Sequence, residues 1–229
     1  MSCFVTLEGI EGCGKTTQAG LLADFVRSRY GLEVVLTREP GGTESTRPIR
    51  TLLADPDSKL DPRAELLLFL ADRAQHVVSV IQPMLARGAF VLCDRFSDST
   101  LAYQGYARGH SLDLLHRLNA WASRDAVPDL TLWIDCDVVT GVRRATKRTG
   151  GPGDRFEAEP LEFHTRVRNG FAELCRNSPE RIVRVDGDAS VEEVFARIRT
   201  EIETRLGARL ATAGGAGATA GAKQKAGSR

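Results

Sequence analysis

The chain has 229 residues and carries 31 Lys and Arg against 30 Asp and Glu, so its formal net charge is +1. This balance gives no general reason to expect nucleic acid or an acidic surface as a partner. No apolar run is long enough to cross a bilayer, and the N-terminus lacks the layout of a secretion signal. We therefore expect a cytoplasmic protein that uses no membrane and no nucleic acid.

Apolar, β-branched segments alternate with helical stretches along the chain. The predicted strands are residues 3–7, 33–37, 90–93, 130–134 and 182–185. The predicted helices are residues 17–30, 64–87, 111–123, 138–147, 161–175 and 191–206. Such alternation is typical of an α/β fold, here a five-stranded parallel sheet with helices on both faces. In such sheets the ligand lies beyond the carboxyl ends of the strands.

Two segments differ in composition from the rest. Residues 149–160 are rich in Gly, Pro and charge, which is typical of a mobile surface loop. Residues 207–229 are rich in Ala and Gly and hold too few large apolar side chains to bury a core. We therefore predict one domain over residues 1–206 and a disordered tail from 207.

A phosphate-binding loop lies between the first predicted strand and the first helix. It matches G-x-x-x-x-G-K-[ST] and comprises Gly9, Ile10, Glu11, Gly12, Cys13, Gly14, Lys15 and Thr16, followed by Thr17. Backbone N–H groups in such a loop surround a di- or triphosphate. Lys15 would contact the outer phosphates and the Thr16 hydroxyl would ligate Mg²⁺. Because strand and helix flank the motif, a Gly-rich turn without function is the weaker interpretation.

Arginines follow three of the predicted strands. Arg38 follows the second and Arg95 the third, and a helix and loop after the fourth bear Arg143, Arg144, Arg148 and Arg155. This is more positive charge than one bound triphosphate requires. It indicates a second phosphorylated substrate facing the first.

At this point the chain resembles the thymidylate kinases, from about residue 3 to residue 206. The matching runs are residues 7–18 (LEGIEGCGKTTQ), 37–43 (TREPGGT), 94–96 (DRF), 102–105 (AYQG) and 128–135 (PDLTLWID), with Phe69 and Arg73 between them. The resemblance implies a P-loop kinase fold with a lid over the ATP site. It also implies transfer of the ATP γ-phosphate to dTMP, giving dTDP and ADP for dTTP synthesis, with Mg²⁺, in a homodimer.

The resemblance assigns roles around the transferred phosphate. Arg38 and Arg95 would hold the monophosphate of dTMP, and Asp94 would help to place Mg²⁺. Glu11 would accept hydrogen bonds from the acceptor sugar; a glutamate that points into solvent is the alternative. No protein nucleophile is required, because phosphoryl transfer depends mainly on alignment and charge neutralisation.

The resemblance also assigns a thymine site. Phe69 and Arg73 lie four residues apart, so they share a helix face and can present a ring beside a guanidinium. Without the family, a core phenylalanine and a solvated arginine would be the simpler interpretation. Tyr103 and Gln104 would line the deoxyribose and base, and Thr100 would reach the base edge.

Residues 144–160 resemble the lid of these kinases. In the family the transition-state arginine comes either from the phosphate loop, where this chain has Gly12, or from the lid. Arg148 and Arg155 are therefore the candidates, with Arg144 next. As an alternative role, Arg143 or Arg144 would stack on the adenine of ATP.

Two other functions remain open from the sequence. One is a kinase for another nucleoside monophosphate or for a deoxynucleoside. The other is a nucleotide-dependent switch, which would have no use for the anion cluster formed by Arg38 and Arg95.

Overall fold

The structure is a computed structural model that describes residues 2–149 and 153–225, with side chains described for residues 2–147 and 153–214. Five parallel strands form one sheet in the order β2-β3-β1-β4-β5. They are β1 (Cys3–Glu8), β2 (Val34–Arg38), β3 (Phe90–Asp94), β4 (Leu130–Asp135) and β5 (Ile182–Asp186). All five predicted strands are present, so the predicted α/β fold is confirmed.

Helices cover both faces of the sheet. They are α1 (Lys15–Tyr30), α2 (Arg47–Ala54), α3 (Pro62–His76), α4 (Gln82–Ala86), α5 (Ser97–Thr100), α6 (Leu112–Ser123), α7 (Val138–Thr149), α8 (Leu161–Asn177) and α9 (Val191–Lys225). The π-helical segments Val77–Ile81 and Leu101–Ala107 follow α3 and α5. Asp61 caps α3 by accepting from the backbone N–H of Arg63, and Gly31 ends α1 in the left-handed conformation.

The sheet divides the apolar core into two layers because successive side chains of a strand point to opposite faces. Val5, Leu7 and Leu92 belong to the larger layer, whereas Phe4 and Val91 belong to a smaller one. β1 and β4 are buried along their whole length, as expected of central parallel strands. Because the strands are parallel, their carboxyl ends all lie at one edge of the sheet. At this edge β1, β3 and β2 are in register at Leu7, Asp94 and Arg38.

α9 continues past residue 206, where the sequence predicted the end of the domain, to Lys225. Leu210 is 1% exposed and belongs to the larger core layer. Arg209 contacts Asp129 at 2.7 Å. One well-placed leucine and one ion pair thus hold a segment whose average composition resembles a disordered tail.

Within the described ranges, no helix combines sufficient length with sufficient apolar character to cross a bilayer.

Candidate active site

A cleft opens at the carboxyl edge of β1, β2 and β3. Its wall includes the predicted residues Glu11, Gly12, Lys15, Thr16, Arg38, Phe69, Arg73, Asp94, Arg95, Thr100, Tyr103 and Gln104. Twelve predicted site residues from five separate parts of the sequence therefore share one cleft. One end is formed by the phosphate loop and the other by α3 and the segment Leu101–Ala107.

The phosphate loop connects β1 to α1 through glycines with positive φ. Gly12 has φ 69° and Gly14 has φ 96°, a region that side chains rarely adopt. A Cβ on Gly12 would lie 1.9 Å from the carbonyl oxygen of Gly141, so α7 also packs directly on the loop. Lys15 is 8% exposed and donates to the carbonyls of Gly9 at 3.1 Å and Ile10 at 2.8 Å. Its ammonium is thus folded into the loop whose phosphate it would contact.

Thr16 and Asp94 face each other at the edge of the loop. The Thr16 hydroxyl donates to Asp94 Oδ2 at 2.9 Å. Mg²⁺ prefers oxygen ligands and takes one or two from the protein and the others from phosphate and water. One hydroxyl and one carboxylate beside the loop fit this preference. Elsewhere in the described part of the chain, His, Cys, Asp and Glu do not gather in threes as a separate metal site would require.

Arg95 lies directly after β3 and has φ 73°, the left-handed region. Its Nη1 donates to Gly9 O at 2.9 Å and to Ser99 Oγ at 3.1 Å, and its Nη2 contacts Glu11 Oε1 at 2.8 Å. Burial alone would lower the pKa of Arg95, but the neighbouring groups Tyr103 and Glu11, with Glu8 and Asp94, raise it above the usual value. The arginine is thereby fixed against the phosphate loop as a permanent cation.

Arg50, from α2, adds a cation that the sequence did not indicate. It lines the cleft and donates to Pro40 O at 3.1 Å. Burial and then repulsion from Arg38 lower its pKa. Two arginines at this end of the cleft are therefore close enough to repel each other, which is the electrostatic setting of an anion site. In the sequence, the only signal for Arg50 was its position after the TREPGGT run.

Glu11 points into the site, so the alternative of a solvent-exposed glutamate is wrong. Its side chain is 11% exposed. Tyr103 donates to it at 2.7 Å, and His164 Nδ1 lies 3.3 Å from its Oε2. Burial would raise the pKa of Glu11, but Arg95 and then His164 lower it well below its usual value. The carboxylate is ionised and sits between the two ends of the cleft.

The far end of the cleft is aromatic. Phe69 and Phe156 approach with ring centroids 5.8 Å apart, and Tyr103 and Phe156 are 6.0 Å apart. Phe156 comes from the predicted lid, and the sequence analysis assigned it no role. These rings form the apolar wall that a nucleobase requires.

Arg73 is the most buried arginine of the cleft, at 1% exposure. It contacts Glu39 at 2.8 Å and donates to Thr100 Oγ1 at 2.8 Å and Asn119 Oδ1 at 2.6 Å. Glu39 also contacts His76 Nδ1 at 2.9 Å. The solvated arginine considered from the sequence is therefore excluded. Glu39 is itself 4% exposed, whereas the side chain of Glu44, five residues further along the chain, is 93% exposed.

Comparison with known proteins shows which family has this arrangement. A family model described as thymidylate kinase matches residues 7–198. The thymidylate kinase of Gloeobacter violaceus is 52% identical over 203 residues, covering 89% of this chain and 95% of that protein. That of Pelobacter propionicus is 49% identical over 207 residues, covering 88% and 94%. The crystal structure of thymidylate kinase from Ehrlichia chaffeensis superposes with a TM-score of 0.73 at 37% identity, covering 88% of this chain and 98% of that one.

This chain belongs to the thymidylate kinase family. The predicted family and its P-loop kinase fold are thus confirmed. The relatives extend over nearly their whole length, so the family assignment covers the cleft from the phosphate loop to α8.

The lid residues of this thymidylate kinase family member are less close to the cleft than predicted. Arg155 Nη1 contacts Glu65 Oε2 at 2.7 Å, and its Nε donates to Leu53 O at 3.0 Å, so in this conformation it is bound to α2 and α3 and does not line the cleft. Arg143 and Arg144 are exposed on α7. The side chain of Arg148 lies outside the described residues.

A buried carboxylate, Glu65, was missed by the sequence analysis. It is 1% exposed and contacts Gln104 at 2.9 Å, Arg108 at 3.2 Å and Arg155 at 2.7 Å. In the sequence it appears only as a polar residue in the first turn of α3. Its partners lie 39, 43 and 90 residues away, so no local pattern could identify it.

Proposed function

We propose that this cleft binds ATP and dTMP head to head and transfers the γ-phosphate of ATP to the phosphate of dTMP, giving dTDP and ADP. The family to which the chain belongs is named for this activity. The observation that carries the proposal is the cleft itself, in which Lys15 and Arg95 meet at one end and aromatic rings face Arg73 at the other. The product dTDP needs one more phosphorylation to become dTTP, so the enzyme would act in dTTP synthesis.

The arginines and Lys15 supply the positive charge that phosphoryl transfer requires. Lys15 would leave the carbonyls of Gly9 and Ile10 for the outer phosphates of ATP. Arg38, Arg50 and Arg95 would surround the acceptor phosphate. Such fixed charge stabilises the transition state because it is in place before the reaction and needs no reorganisation.

Thr16 and Asp94 would hold Mg²⁺ at the phosphate loop. The ion would neutralise negative charge on the ATP phosphates. Glu11, with Tyr103 fixed on it, would accept from a hydroxyl of the deoxyribose. Tyr103 fills the space beside this carboxylate, which would disfavour a ribose 2′-hydroxyl.

Residues of α7 and of the segment that follows it would complete the ATP side of the site. We assign the transition-state arginine to Arg148 or Arg155, and contact with adenine to Arg143 or Arg144. For Arg155 this requires release from Glu65 when the lid closes. Water would be excluded from the transferred phosphate at the same time.

A homodimer would bury the exposed apolar face of α3 and α6. Trp121 is 80% exposed and Leu67 is 61% exposed, and Ala71, Ala74 and Val78 continue the same face. Exposed apolar patches of this kind are typical of interfaces. Light scattering should give a dimer for the wild type and a monomer for Trp121→Asp, whereas Val191→Asp, which changes an exposed residue of α9, should remain dimeric. A monomeric wild type would contradict the proposal.

The five cysteines are all unpaired, and four of them are buried. Free thiols are typical of proteins from reducing compartments. Together with the ATP and dTMP substrates, this supports our assignment to the cytoplasm.

The decisive test of function is a coupled assay of ADP release. The acceptors are dTMP, dUMP, dGMP, AMP and thymidine, with a reaction lacking acceptor as the control. We expect dTMP to have the highest kcat/KM. A clear preference for another acceptor would contradict the assignment, and ADP release that does not depend on any acceptor would favour a nucleotide-dependent switch.

A further inference from the structure

The base end of the cleft contains an amide whose orientation is fixed by a carboxylate. Gln104 lines the cleft, and its Nε2 donates to Glu65 Oε1 at 2.9 Å. A glutamine side chain has an NH₂ donor at one end and a carbonyl acceptor at the other. Whichever end faces Glu65 therefore determines which end faces the base.

Both oxygens of Glu65 are occupied by donors. Its Oε1 accepts from Gln104 Nε2 and from Arg108 Nε, the latter at 3.3 Å. Its Oε2 accepts from Arg108 Nη2 at 3.2 Å and from Arg155 Nη1 at 2.7 Å. Because both oxygens act as acceptors, the NH₂ end of Gln104 faces Glu65.

The opposite end of Gln104 is free to meet a ligand. Gln104 Oε1 accepts no hydrogen bond from the described part of the chain. Side-chain atoms that are both unpaired and inaccessible to solvent do not include this oxygen, so it is accessible. Because Gln104 is 1% exposed overall and lines the cleft, the oxygen is accessible from the cleft.

A donor lines the same cleft as this acceptor. Arg73 uses Nε for Glu39, both N–H groups of Nη1 for Thr100 and Asn119, and one N–H of Nη2 for Glu39. A guanidinium has five N–H groups, so one on Nη2 has no partner among the described residues. Thr100, which Arg73 holds, is one helical turn before Gln104.

An acceptor beside a donor matches only some bases. Thymine and uracil present an N3–H donor beside the O4 acceptor, whereas cytosine presents an N3 acceptor beside an N4 amino donor. We propose that Glu65 is a positioning residue that holds Gln104 Oε1 toward the N3–H of the base, and that it thereby sets the preference for thymine over cytosine. This inference rests on the proposed function of the cleft.

The test compares three acceptors in the wild type and in Glu65→Gln. A neutral glutamine at position 65 offers either an oxygen or an NH₂ group, so the Gln104 amide can turn. We expect the ratio of kcat/KM for dTMP to that for dCMP to fall about tenfold or more. The ratio of dTMP to dUMP should not change, since these two bases share the same hydrogen-bonding edge. If dCMP is not phosphorylated, its inhibition constant against dTMP is measured in place of kcat/KM.

The matched control is Glu159→Gln. Glu159 contacts Arg108 at 2.5 Å but does not contact Gln104, so the variant removes one carboxylate from the same cluster and leaves the amide held. The dTMP-to-dCMP ratio should remain that of the wild type. A general loss of packing or charge would change both variants alike.

A second variant decides the matter if Glu65→Gln does not fold. Gln104→Leu removes the acceptor itself and should also lower the dTMP-to-dCMP ratio. An unchanged ratio in a folded Glu65→Gln protein, or in Gln104→Leu, would overturn the inference and leave the proposed function intact. A wild type that does not phosphorylate dTMP would instead overturn the proposed function.

Discussion

The two ends of the cleft are built in opposite ways. At the phosphate end, Lys15 contacts backbone carbonyls, and Arg38 and Arg50 repel each other across open space. At the base end, the polar side chains already have partners in the chain: Arg73 pairs with Glu39 and Gln104 with Glu65.

This difference follows from what each end must bind. A phosphate brings its own negative charge, so cations that repel each other, such as Arg38 and Arg50, are stabilised when it binds, even though Arg95 already pairs with Glu11. A neutral base brings no charge, and recognition depends on donors and acceptors that are held in place beforehand. Substitutions at the phosphate end should therefore change rate, whereas substitutions at the base end should change stability and specificity.

The largest effect should come from Lys15→Ala at the phosphate end. We expect kcat to fall at least about 1,000-fold, because this ammonium neutralises charge that develops in the transition state. The melting temperature should change little, since Lys15 is held only by neutral carbonyls and a thiol. Lys59→Ala, which removes an exposed lysine, should keep wild-type kinetics. A wild-type kcat in Lys15→Ala would contradict the role of Lys15.

Arg73→Met at the base end should instead lower the free energy of unfolding, by about 3–5 kcal/mol. The substitution leaves Glu39, which is 4% exposed, without the guanidinium that compensates its charge. Urea denaturation measures the loss. Arg38→Met is the matched control, because Arg38 is exposed and no buried carboxylate depends on it. Equal stability of the two variants would remove the distinction between the ends of the cleft.

Glu8 beneath the phosphate end should make stability depend on pH. It accepts from Phe96 N at 2.7 Å and Ser99 Oγ at 2.5 Å, which fixes the turn that carries Arg95. Burial and then the charge of Asp98 raise the pKa of Glu8 from 4.5 to about 7. The folded protein therefore binds this proton more tightly than the unfolded chain does.

Between pH 4.5 and 7 the native state then holds more protons, so this group makes stability fall as pH rises, by up to about 3 kcal/mol. Glu8→Gln should remove that component of the pH dependence, as measured by urea denaturation across this range. Glu192→Gln, at an exposed site in the first turn of α9, should retain it. An identical pH profile in the wild type and Glu8→Gln would refute the assignment.

The smallest effect should separate two truncations of α9. A chain that ends at residue 206 loses Leu210, and burial of a leucine contributes about 2 kcal/mol. A chain that ends at residue 214 keeps Leu210 and the contact of Arg209 with Asp129. We expect a lower melting temperature only for the shorter chain. Equal melting temperatures would mean that this part of α9 does not stabilise the domain.

The phosphate end was largely predictable from the sequence, and the base end only in part. Residues 9–17 are contiguous, so their spacing alone fixes the loop, and Arg38 and Arg95 follow strands whose pattern is clear. Phe69 and Arg73 were found only through the family resemblance, because local spacing favours core packing for one and solvent for the other. Glu65 could not be found, since its partners come from distant segments.

Two departures from the expectations have the same physical origin. Composition predicted disorder from residue 207, but α9 continues past this point and Leu210 packs in the core. Arg155 was assigned to the phosphate from its place in the lid motif, whereas a buried carboxylate 90 residues away holds it in this conformation. In both cases a contact between distant parts of the chain determines the structure, and no local sequence pattern indicates such a contact.

The central claim is that both nucleotides occupy the cleft together, joined end to end through their phosphates. A calorimetric titration with adenosine and thymidine linked 5′ to 5′ by five phosphates tests it directly. We predict one molecule bound per protomer, displaced by ATP and also by dTMP, and much weaker binding to Lys15→Ala and to Arg95→Ala. Displacement by only one of the two nucleotides, or binding of two molecules per protomer, would contradict the account.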